Sequence, residues 1–205
     1  MSHHTWMHAI VRPVIRALRA TPVSPNHLTG LRLATGIASC LLLSTGDPAW
    51  MDIGGGVFLV SFLLDRADGE LARQTGKSSP WGHRFDLVAD YASNILIFVG
   101  LGVGLRDAGF GMSAVFLGAI AGGAIAGIFG LVSRIERTDG VAAAAFPTAA
   151  GFDPDDAMLI VPVALWSGAE ALLLVAAAVG APAFLTWTCW RFRKHVAPFR
   201  LPSPR

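Results

Sequence analysis

Charged residues are scarce in this chain: Asp, Glu, Lys and Arg make up 15% of 205 residues, where a soluble domain carries about 25%. Cysteine is nearly absent. The two present, Cys40 and Cys189, lie in apolar stretches without metal-ligand spacing, which excludes a disulfide scaffold and a thiolate metal centre and marks both as core thiols. Sixteen basic against 14 acidic side chains leave a net charge of +2, too small to mark nucleic acid as a partner. Met1 to Ala20 lacks the uninterrupted apolar core of a secretory signal, so the start of the chain is expected to be retained. What abounds instead is apolar: 53% hydrophobic residues, 23 glycines and a mean hydropathy of +0.55. Disorder, a coiled coil and an ordinary water-soluble enzyme are excluded, and the lipid bilayer is indicated.

Apolar runs long enough to cross a bilayer as helices fall near 28–46, 49–72, 84–105 and 112–134. Two more are expected near 154–166, short and carrying Pro162, and near 169–192, where Gly180 and Pro182 predict a kink. Short cytoplasmic loops collect Lys and Arg. With six spans and both termini inside, every Lys and Arg except Arg106 falls on the cytoplasmic side. Trp50 and Trp166 then sit at outer ends and Trp81, Trp187 and Trp190 near inner ends, as interfacial anchors.

Ahead of the first span, Trp6, Ile10, Val14 and Leu18 recur every four residues while Arg12, Arg16 and Arg19 share another face, the pattern of a helix lying on an anionic membrane surface. Pro13 interrupts it. In the fourth span Gly118/Gly122 and Gly123/Gly127 repeat at four-residue spacing, which allows close helix approach within one chain or across a homodimer. Val141 to Ala150 reads as an Ala-rich cytoplasmic loop. The expected fold is an all-α integral membrane protein: an amphipathic, cytoplasmic juxtamembrane helix at 1–22, a six-transmembrane-helix catalytic bundle at 23–197 and a cytoplasmic tail at 198–205.

Between the second and third spans runs DRADGELARQTGKSSPWGHRFDLVAD, residues 65–90. Its aspartates Asp65, Asp68, Asp86 and Asp90 would each cost about 2.5–3.5 kcal/mol at a helix centre facing lipid, so they must face the bundle interior or water. Residues three or four apart share a helix face. Asp65, Asp68, Gly69 and Ala72 form one stripe, Gly82, Asp86 and Asp90 another, and a short turn is expected to make the two helices antiparallel neighbours. Four converging carboxylates repel unless protonated or neutralised by cations. All-oxygen ligands suit Mg2+ or Mn2+, and four are enough for two ions. Gly69, Ala72 and Gly82 leave room for a ligand, and Arg73 offers a cation for phosphate oxygens. The pattern describes metal-assisted phosphoryl transfer at the cytoplasmic surface. A solvated loop in which these aspartates pair with Arg66, Arg73, Arg84 and Lys77 is the bland alternative; for Arg66 and Glu70, four apart, a structural ion pair is expected.

The eight residues Asp65, Asp68, Gly69, Ala72, Arg73, Gly82, Asp86 and Asp90 fill D-x2-D-G-x2-A-R-x8-G-x3-D-x3-D without departure, and this closely resembles the signature of the CDP-alcohol phosphotransferase family. Pro25, Asn26, Leu28, Thr29 and Arg32 also resemble the family's entry to its first span. The resemblance implies six spans with the motif bridging the second and third. It implies that Asp65, Asp68 and Asp86 ligate divalent metals, with Asp90 sharing a metal or acting as general base. Gly69, Ala72 and Arg73 would cradle the cytidine diphosphate portion and Gly82 keep the floor open. A deprotonated acceptor hydroxyl would then attack the phosphorus remote from cytidine, releasing CMP.

Other assignments stay open. Asn26, Thr29 and Arg32 are candidates for the nucleotide side, against helix capping for Asn26 and snorkelling for Arg32. Arg134 and Arg137 are candidates for a phosphorylated acceptor or an anionic headgroup, against simple anchoring. Asp153, Asp155 and Asp156 read as helix N-terminal charges, and His27 and His83 lie near the pocket without ligand spacing. The expected partners are membrane lipid, a CDP-activated lipid or alcohol and an acceptor alcohol. CDP-diacylglycerol is the preferred donor, with a CDP-linked headgroup passing to a lipid alcohol as the alternative, and the expected location is a bacterial inner membrane. The rival of another class is an ion or proton transporter, but transporters place their acids near the midplane, whereas here they gather at one end. Prenyl transferases also use Asp-rich motifs, without the Gly and Ala-Arg spacing.

Overall fold

A computed structural model describes residues 13, 15–19, 21–77, 79–140 and 154–193. Trp6, Ile10, Arg12, Val14, the 141–150 stretch, Asp153 and the 198–205 tail lie outside the described residues, as do the side chains of Arg137, Asp155 and Asp156. From residue 25 on, the helices are α1 (Pro25–Leu43), α2 (Pro48–Thr75), α3 (Pro80–Gly104), α4 (Met112–Asp139), α5 (Ile160–Trp166) and α6 (Glu170–Arg191). Short 3-10 turns, Leu105–Asp107 and Pro154–Leu159, follow α3 and precede α5. No strand occurs among the described residues.

Three helices start the same way: a polar cap followed by proline at the first helical position, where the missing N–H costs nothing. Ser24 precedes Pro25, Asp47 accepts from the N–H groups of Ala49 at 2.9 Å and Trp50 at 3.2 Å before Pro48 carries on, and Ser79 accepts from Gly82 N–H at 3.0 Å around Pro80. Gly76, at φ 65°, closes α2 in the left-handed conformation that suits a helix end. These stops place the inner ends of α2 and α3 together.

Four helices are long and apolar enough to cross a membrane: α2, α3 with the turn after it, α4 and α6. The first expected span forms the 19-residue α1. The fifth differs from a full span. Pro154–Leu159 winds as a 3-10 turn, and the apolar helical stretch Ala157–Trp166 is about half the ~20 residues a crossing needs. The break expected at Ser167-Gly168 is there, with Gly168 at φ 70°. Pro182 lies inside α6, which continues to Arg191.

The packing order differs from the chain order. α2 and α3, consecutive and expected to be neighbours, touch each other little, because α1 packs extensively against both and lies between them. Outward from this trio, α5 packs on α2 and α4 on α3, with α6 on α4. Helices in lipid gain no hydrophobic drive to associate, so they rely on close backbone approach at small residues. A methyl on Gly100 would stand 2.6 Å from the Cys40 carbonyl oxygen, and one on Gly102 2.6 Å from that of Ala114. The four-residue glycine repeat serves this chain: Gly118 and Gly122 abut α3 and Gly127 abuts Leu185 of α6, while Gly123 meets nothing within 4 Å. A core of Leu43, Phe58, Ile97, Phe98, Leu101 and Leu174 fills the middle. Of the N-terminal segment, Ile15 is fully buried against Leu28, Ala67 and Leu71, with Leu18 beside it, while Arg16 and Arg19 are exposed.

Gly102→Ala is expected to destabilise the fold by about 1–3 kcal/mol through overpacking, read as a lower melting temperature in detergent. Gly123→Ala is expected to leave that temperature unchanged or slightly raised.

Candidate active site

The acidic motif sits where α2 ends and α3 begins, and α1 organises it from between. Thr29 and Arg32, one turn apart, face the two motif helices. Thr29 Oγ1 donates to Asp68 Oδ2 at 2.8 Å. Arg32, only 3% exposed, places Nη1 2.6 Å from Asp65 Oδ1 and 3.3 Å from Asp86 Oδ1, and its Nη2 donates to Asp90 Oδ1. One guanidinium therefore joins three of the four aspartates across two helices. Snorkelling to the surface is not what Arg32 does: the carboxylates supply the charge a buried guanidinium requires.

Asp65, Asp68 and Asp86 each bring one carboxylate oxygen to within 4.8 Å of the others. Three hard oxygen donors converging from two helices fit Mg2+ or Mn2+. Asp90 stands apart from this group. Its Oδ1 accepts from Asn94 Nδ2 at 2.8 Å as well as from Arg32.

Two hollows meet at the cluster. The wider, about 210 Å3, is lined by Pro25, Asn26, Thr29, Asp68, Gly69, Ala72, Lys77, Ser79, Gly82, His83 and Asp86. Gly69 faces open space, so its missing side chain leaves the hollow clear. A methyl on Gly82 would come within 2.8 Å of Asn26 Oδ1 and 3.1 Å of Ser79 Oγ, so glycine there lets Asn26 lie against the start of α3. Asn26 does not cap its helix. Ser24 occupies that position, and its N–H donates to His27 Nδ1 at 3.3 Å, which also removes His27 from the pocket. The narrower hollow, about 20 Å3, lies beside Asp65, Asp90, Arg32 and Asn94 and is walled by Phe58, Phe62, Phe129 and Met158.

A sequence profile of the CDP-alcohol phosphatidyltransferases matches residues 22–187. The chain belongs to that family. Its members include phosphotransferases of phospholipid synthesis. A phosphatidylinositol phosphate synthase from Streptomyces avermitilis is 29% identical over 175 residues, covering 77% of this chain and 70% of the relative. A bifunctional IPC transferase and DIPP synthase from Rubrobacter xylanophilus is 36% identical over 84 residues, and the cholinephosphotransferase 1 of Gallus gallus 38% over 82. These matches span 41% and 40% of this chain but only 19% and 24% of those longer proteins. Among solved structures, the Mycobacterium tuberculosis phosphatidylinositol phosphate synthase in complex with manganese and citrate superposes with a TM-score of 0.69, covering 95% of this chain and 96% of that one at 20% identity. That likeness establishes a shared fold.

Some candidate residues lie elsewhere. Arg73 does not line the wide hollow; its guanidinium pairs with Glu70, which is 3% exposed and also accepts from Gln74. Glu70 thus meets partners three and four residues ahead of it, whereas Arg66 lies over the Phe62 ring and 3.9 Å from Asp65. Arg134 is exposed at the end of α4 and lines neither hollow. Sequence reasoning missed Lys77, Ser79 and Asn94 as lining residues. For Asn94 there was a signal, a polar residue one turn beyond Asp90 on the same stripe.

Thr29→Val leaves a 3% exposed carboxylate without its hydroxyl donor. It is expected to cost about 1–3 kcal/mol, measured by thermal unfolding without added metal.

Proposed function

We propose that the protein transfers a phosphatidyl group from CDP-diacylglycerol to the hydroxyl of a polyol or polyol phosphate, with release of CMP. The observation that carries this reading is the convergence of Asp65, Asp68 and Asp86 beside a hollow lined by Gly69, Ala72 and Gly82, within a chain of this family. The donor class is supported by the Streptomyces relative, a phosphatidylinositol phosphate synthase aligned over most of both chains.

Asp65, Asp68 and Asp86 are the residues that would hold Mg2+ or Mn2+, two ions if Asp90 shares one. Such ions neutralise a diphosphate and stabilise a departing phosphate. Asn26, Thr29, Gly69, Ala72 and Gly82 shape the space for the cytidine diphosphate portion, with Lys77 at the same wall. Arg32 orients the carboxylates. Arg73, tied to Glu70, would have to turn toward the hollow to reach a phosphate. Asp90, outside the converging trio and oriented by Asn94, takes the acceptor proton as general base, a role that needs correct placement before a suitable pKa. Asp68 and Asp86 face the nucleotide hollow while Asp90 faces the other, an arrangement suited to in-line displacement with leaving group and nucleophile on opposite sides. Arg134 and Arg137 remain the proposed contacts for an anionic acceptor. The proposed setting is a bacterial inner membrane with six membrane-embedded segments, both termini and the site on the cytoplasmic side. This rests on Arg106 alone falling at the far end.

With purified protein and CDP-diacylglycerol, CMP release is expected to require both an acceptor and Mg2+ or Mn2+. Asp90→Asn is expected to lower kcat by about 100-fold or more; full turnover in that variant contradicts the base assignment. Gly82→Leu is expected to raise KM for the nucleotide donor about tenfold, the worth of one good hydrogen bond displaced with Asn26. Failure with every polyol acceptor and success with a CDP-linked headgroup and diacylglycerol reverses the donor assignment. Metal-dependent ion flux in vesicles without nucleotide consumption overturns the enzyme reading.

A further inference from the structure

Arg32 and a divalent ion make claims on the same carboxylates. Asp65 and Asp86 each offer an oxygen to the converging trio with Asp68, and both also receive Arg32 Nη1, at 2.6 and 3.3 Å. Asp68 is outside the ion pairs of Arg32 and is held by Thr29 instead. Asp90 is the reverse: it takes Arg32 Nη2 and Asn94 but lies outside the trio. A guanidinium cannot relieve crowding by shedding its proton. Nor can the side chain leave easily, since it is 3% exposed and the Arg32 carbonyl is pinned by Ser61 Oγ at 2.9 Å.

We propose that Arg32 is an internal counter-cation that competes with the divalent metal for Asp65 and Asp86, so that metal entry takes over those two carboxylates and leaves the guanidinium on Asp90. The inference rests on the trio being the metal site. It assigns Arg32 two tasks beyond contact with nucleotide. Without metal it holds α2 and α3 together through α1 by supplying the missing positive charge. With metal it remains beside Asp90, aligning the base with the help of Asn94. Metal affinity is thereby set below what three carboxylates alone would give, because a fixed positive charge repels the incoming ion.

The test uses the full-length protein in detergent, without nucleotide, and follows free Mn2+ by electron paramagnetic resonance during titration. Arg32→Gln is expected to bind Mn2+ about tenfold more tightly than the parent, since one repelling charge is gone. Its metal-free form is expected to melt at a lower temperature, with the difference closing at saturating Mn2+. Should Arg32→Gln fail to fold with or without Mn2+, Arg32→Lys carries the test: one ammonium bridges fewer carboxylates, and binding several-fold tighter is expected. Asp68→Asn, which Arg32 does not pair with, serves as control and is expected to weaken Mn2+ binding in either background. Mn2+ binding that is unchanged or weaker in the Arg32 variants, with Asp68→Asn impaired, overturns the competition and leaves the metal reading standing. Unimpaired binding in Asp68→Asn overturns the metal reading and the competition with it.

Discussion

Four carboxylates gathered in a helical bundle cannot stay charged there without positive charge beside them, and Arg32 is where this chain supplies it. The arrangement explains a feature of the packing. α2 and α3 carry the acids yet barely touch, so their carboxylates meet only because α1 fills the space between and presents Thr29 and Arg32 to both. Breaking such a buried set by removing one partner is costly, since it strands the opposite charges. The site and the fold are therefore one construction: the residues that set the acid geometry also couple the three helices.

That coupling needs α1 and α3 to lie close, and small residues permit it. A methyl on Gly36 would reach within 2.8 Å of the Ser93 Cβ, and Gly100 approaches the Cys40 backbone in the same way. In lipid, where apolar side chains gain little by leaving their solvent, such approaches supply the dispersion contacts that hold helices together. Further down, Gly102 and Gly118 do the same between α3 and α4. The helices are thereby locked near the acids, which keeps Asp86 and Asp90 in register with Asp65 and Asp68.

The motif itself was legible because helical spacing alone places Asp65, Asp68, Gly69 and Ala72 on one face and Gly82, Asp86 and Asp90 on another. The helix starts at Pro25, Pro48 and Pro80 and the break at Gly168 also follow from local chemistry. What sequence could not supply was which face meets which neighbour. Periodicity says that Arg32 shares a face with Thr29, but not that α1 is wedged between the motif helices, so its threefold pairing was invisible. Glu70 had Arg66 at one side and Arg73 and Gln74 at the other, and spacing alone does not choose. The fifth span was overread because apolar character persists through Ala157–Trp166, while backbone winding through Pro154–Leu159 is 3-10.

The two hollows place different demands on the chemistry. The nucleotide side is open, polar and already shaped, so binding there requires little rearrangement beyond the side chains of Arg73 and Lys77. The Asp90 side is closed: about 20 Å3 is room for roughly one water molecule, far less than a polyol needs. An acceptor hydroxyl meets Asp90 there only if Phe62, Phe129 or Met158 gives way, and those residues come from α2, α4 and the turn before α5. The aromatic wall excludes water from the base until an acceptor displaces it, and a phosphoryl centre shielded from water is protected from hydrolysis. Discrimination between an alcohol and water thus falls to the packing of three apolar side chains, while the aspartates and Arg32 supply the electrostatics common to any acceptor.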